Sequence, residues 1–375
     1  MRPSVCFVAL KAYGVLSGDG QHSHVGGAEV QQALVARGLA QRGYDVSFIT
    51  LDHGQDDGCQ VGGIRIFKSC RSGEGLPGLR TVHPKWTHLA AAMRRANADV
   101  YYQRTCGIES GQVAMWCRRH GRRFVFGVGS DADCDKALAT LACPVERWFY
   151  RYALRHADAI IAQTDSQRRL LSENFGLRST VIPSCRPLPV QSDSRPQAPP
   201  RILWVGRFSP IKRPEWCLDL AERRGDLAFD IVGAGNEDTP YARSIGQRAS
   251  RLPNITLHGY VPYERIGSFY DGATVLLSTS LYEGFPNIFL EAWSHARPVV
   301  GTVDPDGVVS SHGLGIVAGN LDGLDAGITR LLADPACWMQ AAQGGRRYVG
   351  DHHGVDAAVS AYERLLAELA SSSQA

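Results

Sequence analysis

Short apolar runs alternate with longer amphipathic stretches along most of the chain, and this alternation constrains the fold more than any other feature. Residues 5–10 and 45–50 have the length and composition of buried strands, and residues 28–42 between them have helical spacing. The order strand, helix, strand is typical of a parallel sheet covered by helices on both faces. The same order resumes at residues 202–205, which are followed by helical spacing over 216–224.

One segment without periodicity interrupts this order. Residues 186–200 contain five prolines, a composition typical of linkers. The chain has 375 residues, which exceeds the usual size of one hydrophobic core. We therefore predict an N-terminal Rossmann-like domain at 1–185, a linker at 186–200, a C-terminal Rossmann-like domain at 201–354 and a last amphipathic helix within 355–375. Two similar α/β domains in tandem also suggest a cleft between them.

Composition and charge exclude several classes of protein. Hydrophobic residues make up 44% and charged residues 21% of the chain. This is the ordinary composition of a globular protein, and it is not typical of a disordered, fibrous or disulfide-framework protein. A net charge of +3 is too small to indicate an extended surface for nucleic acid. The ten cysteines include no C-x-x-C pair and no histidine at zinc spacing, so we predict reduced thiols, no metal site and a cytoplasmic location.

Any contact with a membrane is expected to be peripheral, at its inner face, because no apolar run is long enough to span a bilayer. The basic segment RRHGRR at 118–123 offers one surface for such a contact. A solvated helix end explains the same segment better, since cations are favoured at the C-terminus of a helix.

The strongest chemical signal is the segment EGFPNIFLEA, which follows a predicted strand. Pro286 suits the start of a helix because its φ is fixed and it has no N–H to satisfy. The next two amides would then point out of a helix N-terminus, a favourable place for a diphosphate. Glu283 lies ahead of this helix and Glu291 inside it, so two carboxylates can flank one ligand. Carboxylates repel phosphate, so we expect them to bind hydroxyl groups of a ribose and a sugar.

A second candidate follows the first predicted strand of the second domain. In LWVGRFSPIK a glycine turn at Gly206 precedes the cations Arg207 and Lys212. Arginine offers a planar fork and lysine a mobile point charge, and together they can neutralise the charge on a departing nucleoside diphosphate. Either cation by itself would be typical of a solvated loop.

A third candidate is the loop between the first strand and the first helix, which ends in Gly26 and Gly27. Glycines at a helix start allow the backbone to approach phosphate closely, although a tight turn explains such a pair as well. His22 and His24 flank this loop and are minor candidates for a contact with donor or acceptor.

Together these motifs resemble those of the retaining nucleotide-sugar glycosyltransferases of family 4. The marks of that family are a glycine pair after the first strand, G-R-x-x-x-x-K early in the second domain and E-x7-E at a helix start. All three occur here in that order, across nearly the whole chain. The resemblance implies the α/β fold known as GT-B, in which two Rossmann-like, doubly wound parallel-sheet domains face a central cleft. It also implies a hexosyltransferase-like enzyme that needs no metal and no cofactor besides its nucleotide-sugar donor.

The resemblance assigns roles to the matched positions. Arg207 and Lys212 would hold the donor diphosphate, Glu283 would contact the sugar hydroxyls, and Glu291 would bind the ribose. The last helix would pack back on the first domain. The other donor-binding positions would be the glycine turns, the helix start and the nucleobase segment: Gly26, Gly27, Gly206, Phe285, Pro286, Asn287, Ile288, Tyr260 and Val261.

The first domain departs from the family pattern. Where many relatives have a histidine near the donor sugar, this chain has Gln103 and Arg104. Asp131 and Asp133 are further polar candidates, and they form the one Asp-x-Asp pair at a plausible strand end. A role in loop structure explains each of these four residues better than a role in catalysis.

The resemblance therefore implies sugar transfer, with retention, from a nucleoside-diphosphate sugar to a glycan, a lipid-linked saccharide or a small molecule. A sugar phosphorylase or a nucleotide-sugar epimerase on the same fold remains an alternative, as does a non-catalytic nucleotide-sugar-binding protein. An NAD-dependent dehydrogenase is disfavoured, because VGAG at 232–235 lacks the third glycine of the dinucleotide fingerprint.

Overall fold

The computed structural model describes residues 2–18, 26–75, 81–138, 140–141, 143–190, 199–235 and 239–371. His22 and His24 lie outside these ranges. The chain divides into two compact units, one comprising Met1–Cys185 with Val355–Ala375 and the other comprising Arg186–Gly354.

The first unit is built on a sheet whose strands are short and buried. The strands are β1 (Val5–Val8), β2 (Val46–Thr50), β3 (Cys59–Val61), β4 (Ile64–Lys68), β5 (Val100–Arg104), β6 (Arg123–Gly127), β7 (Ala159–Ala162) and β8 (Thr180–Val181). The helices that connect them are α1 (Tyr13–Ser17), α2 (Gly27–Gln41), α3 (Thr87–Ala96), α4 (Ile108–Arg119), α5 (Pro144–His156) and α6 (Asp165–Phe175). Strands such as β1 are apolar throughout because helices cover both faces of the sheet.

The strand order in this sheet is β3-β4-β2-β1-β5-β6-β7-β8. Every neighbouring pair is parallel except β3 and β4, which are antiparallel. The sequence did not predict this edge hairpin. Its signal was the pair Gly62 and Gly63, which turns the chain with φ of 57° and 82°, a conformation that favours glycine in two-residue hairpin loops.

The second unit has a six-stranded sheet in which all pairs are parallel. Its strands are β9 (Arg201–Val205), β10 (Ala228–Val232), β11 (Ile255–Gly259), β12 (Val275–Ser278), β13 (Val299–Gly301) and β14 (Gly315–Val317). Its helices are α7 (Pro214–Arg223), α8 (Pro240–Ala249), α9 (Gly267–Gly272), α10 (Asn287–Ser294), α11 (Val308–Ser311), α12 (Leu321–Ala333) and α13 (Pro335–His352).

The strand order β11-β10-β9-β12-β13-β14 fixes where a ligand is expected. From β9 the chain moves outward to β11, and it then returns to β12 on the other side of β9. The order therefore reverses between β9 and β12. In open parallel sheets, ligands bind beyond the carboxyl ends of the strands at such a switch point. The corresponding point of the first sheet lies between β1 and β5.

The chain passes between the units at two peptide bonds, after Cys185 and after Gly354. On the first side, the Gln31 side chain donates to the Cys185 carbonyl at 2.9 Å and accepts its N–H at 2.7 Å. On the second side, the Arg186 N–H donates to the His353 carbonyl at 2.8 Å. The segment predicted as a linker thus begins inside the second unit, and its residues 191–198 lie outside the described ranges.

The last helix, α14 (Val355–Ser371), belongs to the first unit and packs against α2. Gly38 provides the space for this packing, since an added Cβ would lie 2.4 Å from a methyl group of Val359. Arg42 adds a polar anchor, donating to the Glu363 carboxylate at 2.5 Å and to the Asp356 carboxylate at 3.1 Å.

Candidate active site

Glycines bring two loops into close contact beside the switch point of the second sheet. The Gly206 N–H donates to the Val232 carbonyl at 3.0 Å, and the Phe208 N–H donates to the Ala234 carbonyl at 3.2 Å. An added Cβ at Gly233 would lie only 1.9 Å from the Gly206 carbonyl oxygen. The glycines of VGAG therefore serve the packing of the loop after β10 against the loop after β9.

The loop after β9 is also bound to the loop after β12. The Ile211 carbonyl accepts the Leu281 N–H at 2.7 Å. The Thr279 hydroxyl donates to the Lys212 carbonyl at 2.7 Å, and the Arg213 Nε donates to the Thr279 carbonyl at 2.7 Å. These bonds fix the backbone on both sides of Lys212, so its side chain starts from a defined position.

Lys212 and Glu283 form an ion pair across these two loops. Their side chains are 25% and 16% exposed, so the pair is accessible to a ligand without being fully solvated. Arg207 is exposed and makes no ion pair with any residue in the described ranges. The structure thus places a paired cation and an unpaired cation in the loop after β9.

Helix α10 begins at Asn287, directly after Pro286, whose φ is −65°. The Phe285 ring is buried and lies 4.7 Å from the His353 ring, which holds the helix start against the core. The first turn contains no acidic residue, and no side chain caps it. The first amides of an α-helix have no acceptor within the helix, so the Asn287 and Ile288 end of α10 has the polarity to bind an anion.

Glu291 is more buried than the sequence indicates, with only 7% of the residue exposed. The Tyr270 hydroxyl donates to its Oε2 at 2.6 Å, and Arg186 Nη1 lies 3.7 Å from its Oε1. Burial raises the pKa of Glu291, and the Arg186 cation and the Tyr270 hydrogen bond oppose that rise. Sequence reasoning missed both partners, and in particular it treated Arg186 as part of a linker.

The predicted nucleobase residues, Tyr260 and Val261, follow β11 and are half-buried. The Gly233 N–H donates to the Gly259 carbonyl at 2.7 Å, so the end of β11 is tied to the loop after β10. Two residues further on, the Tyr263 hydroxyl accepts a hydrogen bond from Arg186. This segment and Glu291 therefore share one partner.

The glycine pair of the first unit lies at the start of α2, with Gly26 just before the helix and Gly27 as its first residue. The Gly26 N–H donates to the Glu29 carboxylate at 3.0 Å. One of the amides predicted to meet phosphate is thus engaged by a negative charge of the same helix.

Gln103 and Arg104 end β5, and they are 6% and 8% exposed. The Gln103 amide donates to the backbone carbonyls of Arg104 and Thr105 at 2.8 and 3.1 Å. These contacts give Gln103 a role in the turn after the strand.

Asp131 and Asp133 take part in the structure of the loop after β6. Asp133 is buried and accepts the Gly129 N–H at 2.8 Å, and burial raises its pKa. Asp131 accepts a hydrogen bond from the Gln167 amide at 3.0 Å. Within the described ranges, no three His, Cys, Asp or Glu side chains are grouped so that they could hold a metal ion.

The two α/β units define a protein of the GT-B class, and solved structures bear this out. A sucrose-phosphate synthase from Thermosynechococcus elongatus is similar with a TM-score of 0.83 and 19% identity, over 99% of this chain and 100% of the other. Anabaena Alr3699/HepE, solved in complex with UDP and glucose, is similar with a TM-score of 0.75 and 15% identity, over 98% and 100%. These likenesses concern the fold, and they confirm the fold class predicted from the sequence.

Two sequence families identify the chain more closely. Residues 26–185 match the glycosyl transferase 4-like domain, and residues 199–334 match the glycosyl transferases group 1. The chain belongs to the group 1 glycosyltransferases, as its motifs predicted.

Relatives found by sequence similarity are also glycosyltransferases. The chain is 26% identical to a 2-deoxystreptamine glucosyltransferase of Streptomyces kanamyceticus, over 62% of this chain and 66% of the relative. It is 27% identical to the GtfA subunit of a UDP-N-acetylglucosamine–peptide N-acetylglucosaminyltransferase of Streptococcus gordonii, over 41% and 32%. It is 30% identical to a D-inositol 3-phosphate glycosyltransferase of Nocardiopsis dassonvillei, over 49% of each. The matches therefore span between 32% and 66% of these relatives.

Proposed function

We propose that the protein transfers a sugar from a nucleoside-diphosphate sugar to an acceptor hydroxyl, with retention of configuration. The observation that carries this proposal is the arrangement at the switch point of the second sheet. There the Lys212–Glu283 pair joins the loops after β9 and β12, and α10 begins just beyond Glu283 with no acidic residue in its first turn. A diphosphate and a polyhydroxylated sugar are the ligands that suit this set of groups.

In the proposed reaction the bond between the sugar C1 and the diphosphate oxygen breaks, and a bond to the acceptor oxygen forms on the same face. The proton of the acceptor hydroxyl passes to the departing diphosphate, so no protein base is needed. Arg207 and Lys212 neutralise the charge that grows on the diphosphate. Glu283 orients the sugar hydroxyls, and its contact with Lys212 keeps the ammonium beside the reacting groups. The reaction requires no metal ion in this proposal.

The first donors to test are UDP-sugars. The GtfA relative belongs to a UDP-N-acetylglucosamine–peptide N-acetylglucosaminyltransferase, and HepE was solved with UDP and glucose. The relatives are named for different acceptors: 2-deoxystreptamine, a peptide and D-inositol 3-phosphate. A glycan, a lipid-linked saccharide and a small molecule therefore all belong in the acceptor screen.

A thermal-shift screen of nucleotide sugars tests the donor. A ligand at a hundred times its dissociation constant stabilises the protein by about 2.7 kcal/mol. We expect a clear shift for the wild type and a much smaller one for Lys212→Met, with exposed Lys136→Met as the matched control. Absence of any shift across UDP-, GDP-, ADP-, CDP- and dTDP-sugars would contradict the proposal.

Product analysis then separates the alternatives. A transferase releases the nucleoside diphosphate only when an acceptor takes the sugar. A phosphorylase would consume free phosphate, and an epimerase would convert the donor sugar with no second substrate. A binding protein would change neither the donor nor the acceptor.

Peripheral contact with an anionic membrane is the second part of the proposal, and helix α5 offers the surface for it. Val145 and Trp148 are both 54% exposed, and the Trp148 ring stacks 5.6 Å from the Tyr152 ring. Arg151 and Arg155 are exposed on the same helix and make no ion pair within the described ranges. None of the helices in those ranges is both long and apolar enough to cross a membrane. An exposed tryptophan and valine beside unpaired arginines match an interface of anionic lipid.

Vesicle sedimentation tests this surface. We expect the wild type to bind phosphatidylglycerol vesicles and not phosphatidylcholine vesicles. The double variant Arg151→Ser/Arg155→Ser should lose about 2 kcal/mol of binding, or roughly 30-fold, while exposed Arg178→Ser should bind like the wild type. Equal loss in both variants, or no binding by the wild type, would contradict the membrane contact.

A further inference from the structure

Arg186 is the first residue of the second unit, and its burial is unusual for a charged side chain. Its side chain is only 10% exposed. Its Nη1 donates to the Tyr263 hydroxyl, and its guanidinium carbon lies 5.2 Å from the centre of the Tyr263 ring. The same Nη1 lies 3.7 Å from Glu291 Oε1. Arg186 is thus buried between the segment that follows β11 and helix α10.

The contacts around Glu291 leave hydrogen-bonding capacity unused. A separation of 3.7 Å between Arg186 and Oε1 is longer than a hydrogen bond. Oε1 accepts no hydrogen bond from any residue in the described ranges, whereas Oε2 accepts one from Tyr270. The buried Arg186 Nε likewise has no hydrogen-bond partner there. Buried charged groups that keep an unfilled donor and an unfilled acceptor are costly unless a ligand completes them.

We infer that Arg186 is a positioning residue for the nucleoside half of the donor site, because it fixes Glu291 and the 260–263 segment relative to each other. The inference rests on the proposed function, in which Glu291 binds the ribose and the 260–263 segment binds the base. Arg186 does not touch the diphosphate in this assignment. Its own backbone is held by the hydrogen bond from its N–H to the His353 carbonyl at 2.8 Å.

A positioning role predicts different effects on the binding of two ligands, whereas a merely structural role predicts equal effects on both. A nucleoside diphosphate uses both halves of the donor site, whereas inorganic pyrophosphate uses only the half that contains Arg207 and Lys212. Loss of Arg186 should therefore weaken the binding of the nucleoside diphosphate and leave the binding of pyrophosphate unchanged.

Arg346 provides a control, since it also ties α10 to another segment of the unit, the one that contains Pro189. Its guanidinium donates to the Ser294 carbonyl at the end of α10 at 2.5 Å, and to the Pro189 carbonyl at 2.6 Å. Arg346→Met therefore removes a partly buried arginine between these elements without touching Glu291 or Tyr263. It reports what loss of packing alone does to ligand affinity.

The experiment is titration calorimetry with pyrophosphate and with whichever of UDP, GDP, ADP, CDP and dTDP binds the wild type most tightly. We expect Arg186→Met to weaken the nucleoside diphosphate by about tenfold or more, the effect of losing one charged hydrogen bond, and to change pyrophosphate affinity less than twofold. Tyr263→Phe, which removes only a hydroxyl, should show the same selectivity with a smaller loss. Arg346→Met should not discriminate between the two ligands.

Three results would overturn the inference. Equal weakening of both ligands in Arg186→Met and Tyr263→Phe, or no weakening in either variant, would show that Arg186 does not serve the nucleoside half. A wild type that binds pyrophosphate but none of the five nucleoside diphosphates would overturn the proposed function together with this inference. If Arg186→Met does not fold, Tyr263→Phe decides the question.

Discussion

Replacing Lys212 by methionine should separate two effects of its ammonium, one on stability and one on transfer. The Lys212 and Glu283 side chains are 25% and 16% exposed. Their pair thus lies between an exposed pair, worth about 0–1 kcal/mol, and a buried pair, whose disruption costs about 3–5 kcal/mol. We expect Lys212→Met to lower the free energy of unfolding by about 1–2 kcal/mol. Transfer should fall on the order of a hundredfold or more, because the departing diphosphate loses a cation.

The double variant Lys212→Met/Glu283→Gln tells these two effects apart. Glutamine leaves no unpaired carboxylate, so the free energy of unfolding should return to within about 0.5 kcal/mol of the wild type. Transfer should stay as low as in the single variant, because the ammonium is still missing. Urea unfolding followed by tryptophan fluorescence measures the first quantity, and release of nucleoside diphosphate at saturating donor measures the second.

Lys136→Met controls for the loss of an exposed lysine and should change neither quantity. A Lys212→Met variant whose kcat stays within about tenfold of the wild type would refute the proposed electrostatic role. A double variant that regains transfer together with stability would refute it too, since the ion pair would then act only through the fold.

Two further predictions concern the loops around this pair, and a third concerns metal ions. Arg207→Met should leave the free energy of unfolding within about 0.5 kcal/mol of the wild type, because Arg207 is exposed. The same variant should bind pyrophosphate more weakly in calorimetry, and an unchanged affinity would mean that Arg207 is not part of the site. Gly233→Ala should lower the free energy of unfolding, measured in urea, by more than about 2 kcal/mol, because the new Cβ would lie 1.9 Å from the Gly206 carbonyl oxygen. An unchanged midpoint of urea unfolding would mean that the two loops can separate. Transfer should continue in EDTA, and a loss that manganese or magnesium restores would make Asp131 and Asp133 candidates for metal ligands.

The sequence allowed prediction of the donor motifs because each is local. A strand, a glycine turn and two cations are contiguous around Gly206, and the helix start around Pro286 follows its own strand directly. Parallel strands end at one edge of a sheet, so motifs that follow β9 and β12 come together although they are distant in sequence. The contact between Lys212 and Glu283, separated by 71 residues, is a consequence of this topology.

The surroundings of Glu291 could not be predicted in the same way. Arg186 stands among prolines in a segment without periodicity, so nothing local indicates that it returns to the core. Tyr270 belongs to α9, a helix of only six residues whose pattern carries little information. Both contacts depend on how separate elements pack, and a residue's spacing within its own element does not determine that packing. The edge strand β3 was missed because its three residues, half-buried or exposed, are too few to show a pattern.

The sequence predicts two helix starts as phosphate sites, those of α2 and α10. They differ in charge, and this difference favours α10 as the phosphate site. At α2, the Glu29 carboxylate accepts the Gly26 N–H at 3.0 Å. A negative charge from the helix itself therefore already occupies the positive end of its dipole. The first turn of α10 contains no acidic residue, and the nearby Glu283 is neutralised by Lys212. A diphosphate would have to displace a carboxylate at α2, whereas no acidic side chain stands in the first turn of α10. The glycine pair at α2 is therefore better suited to uncharged hydroxyl groups than to the phosphates of the donor.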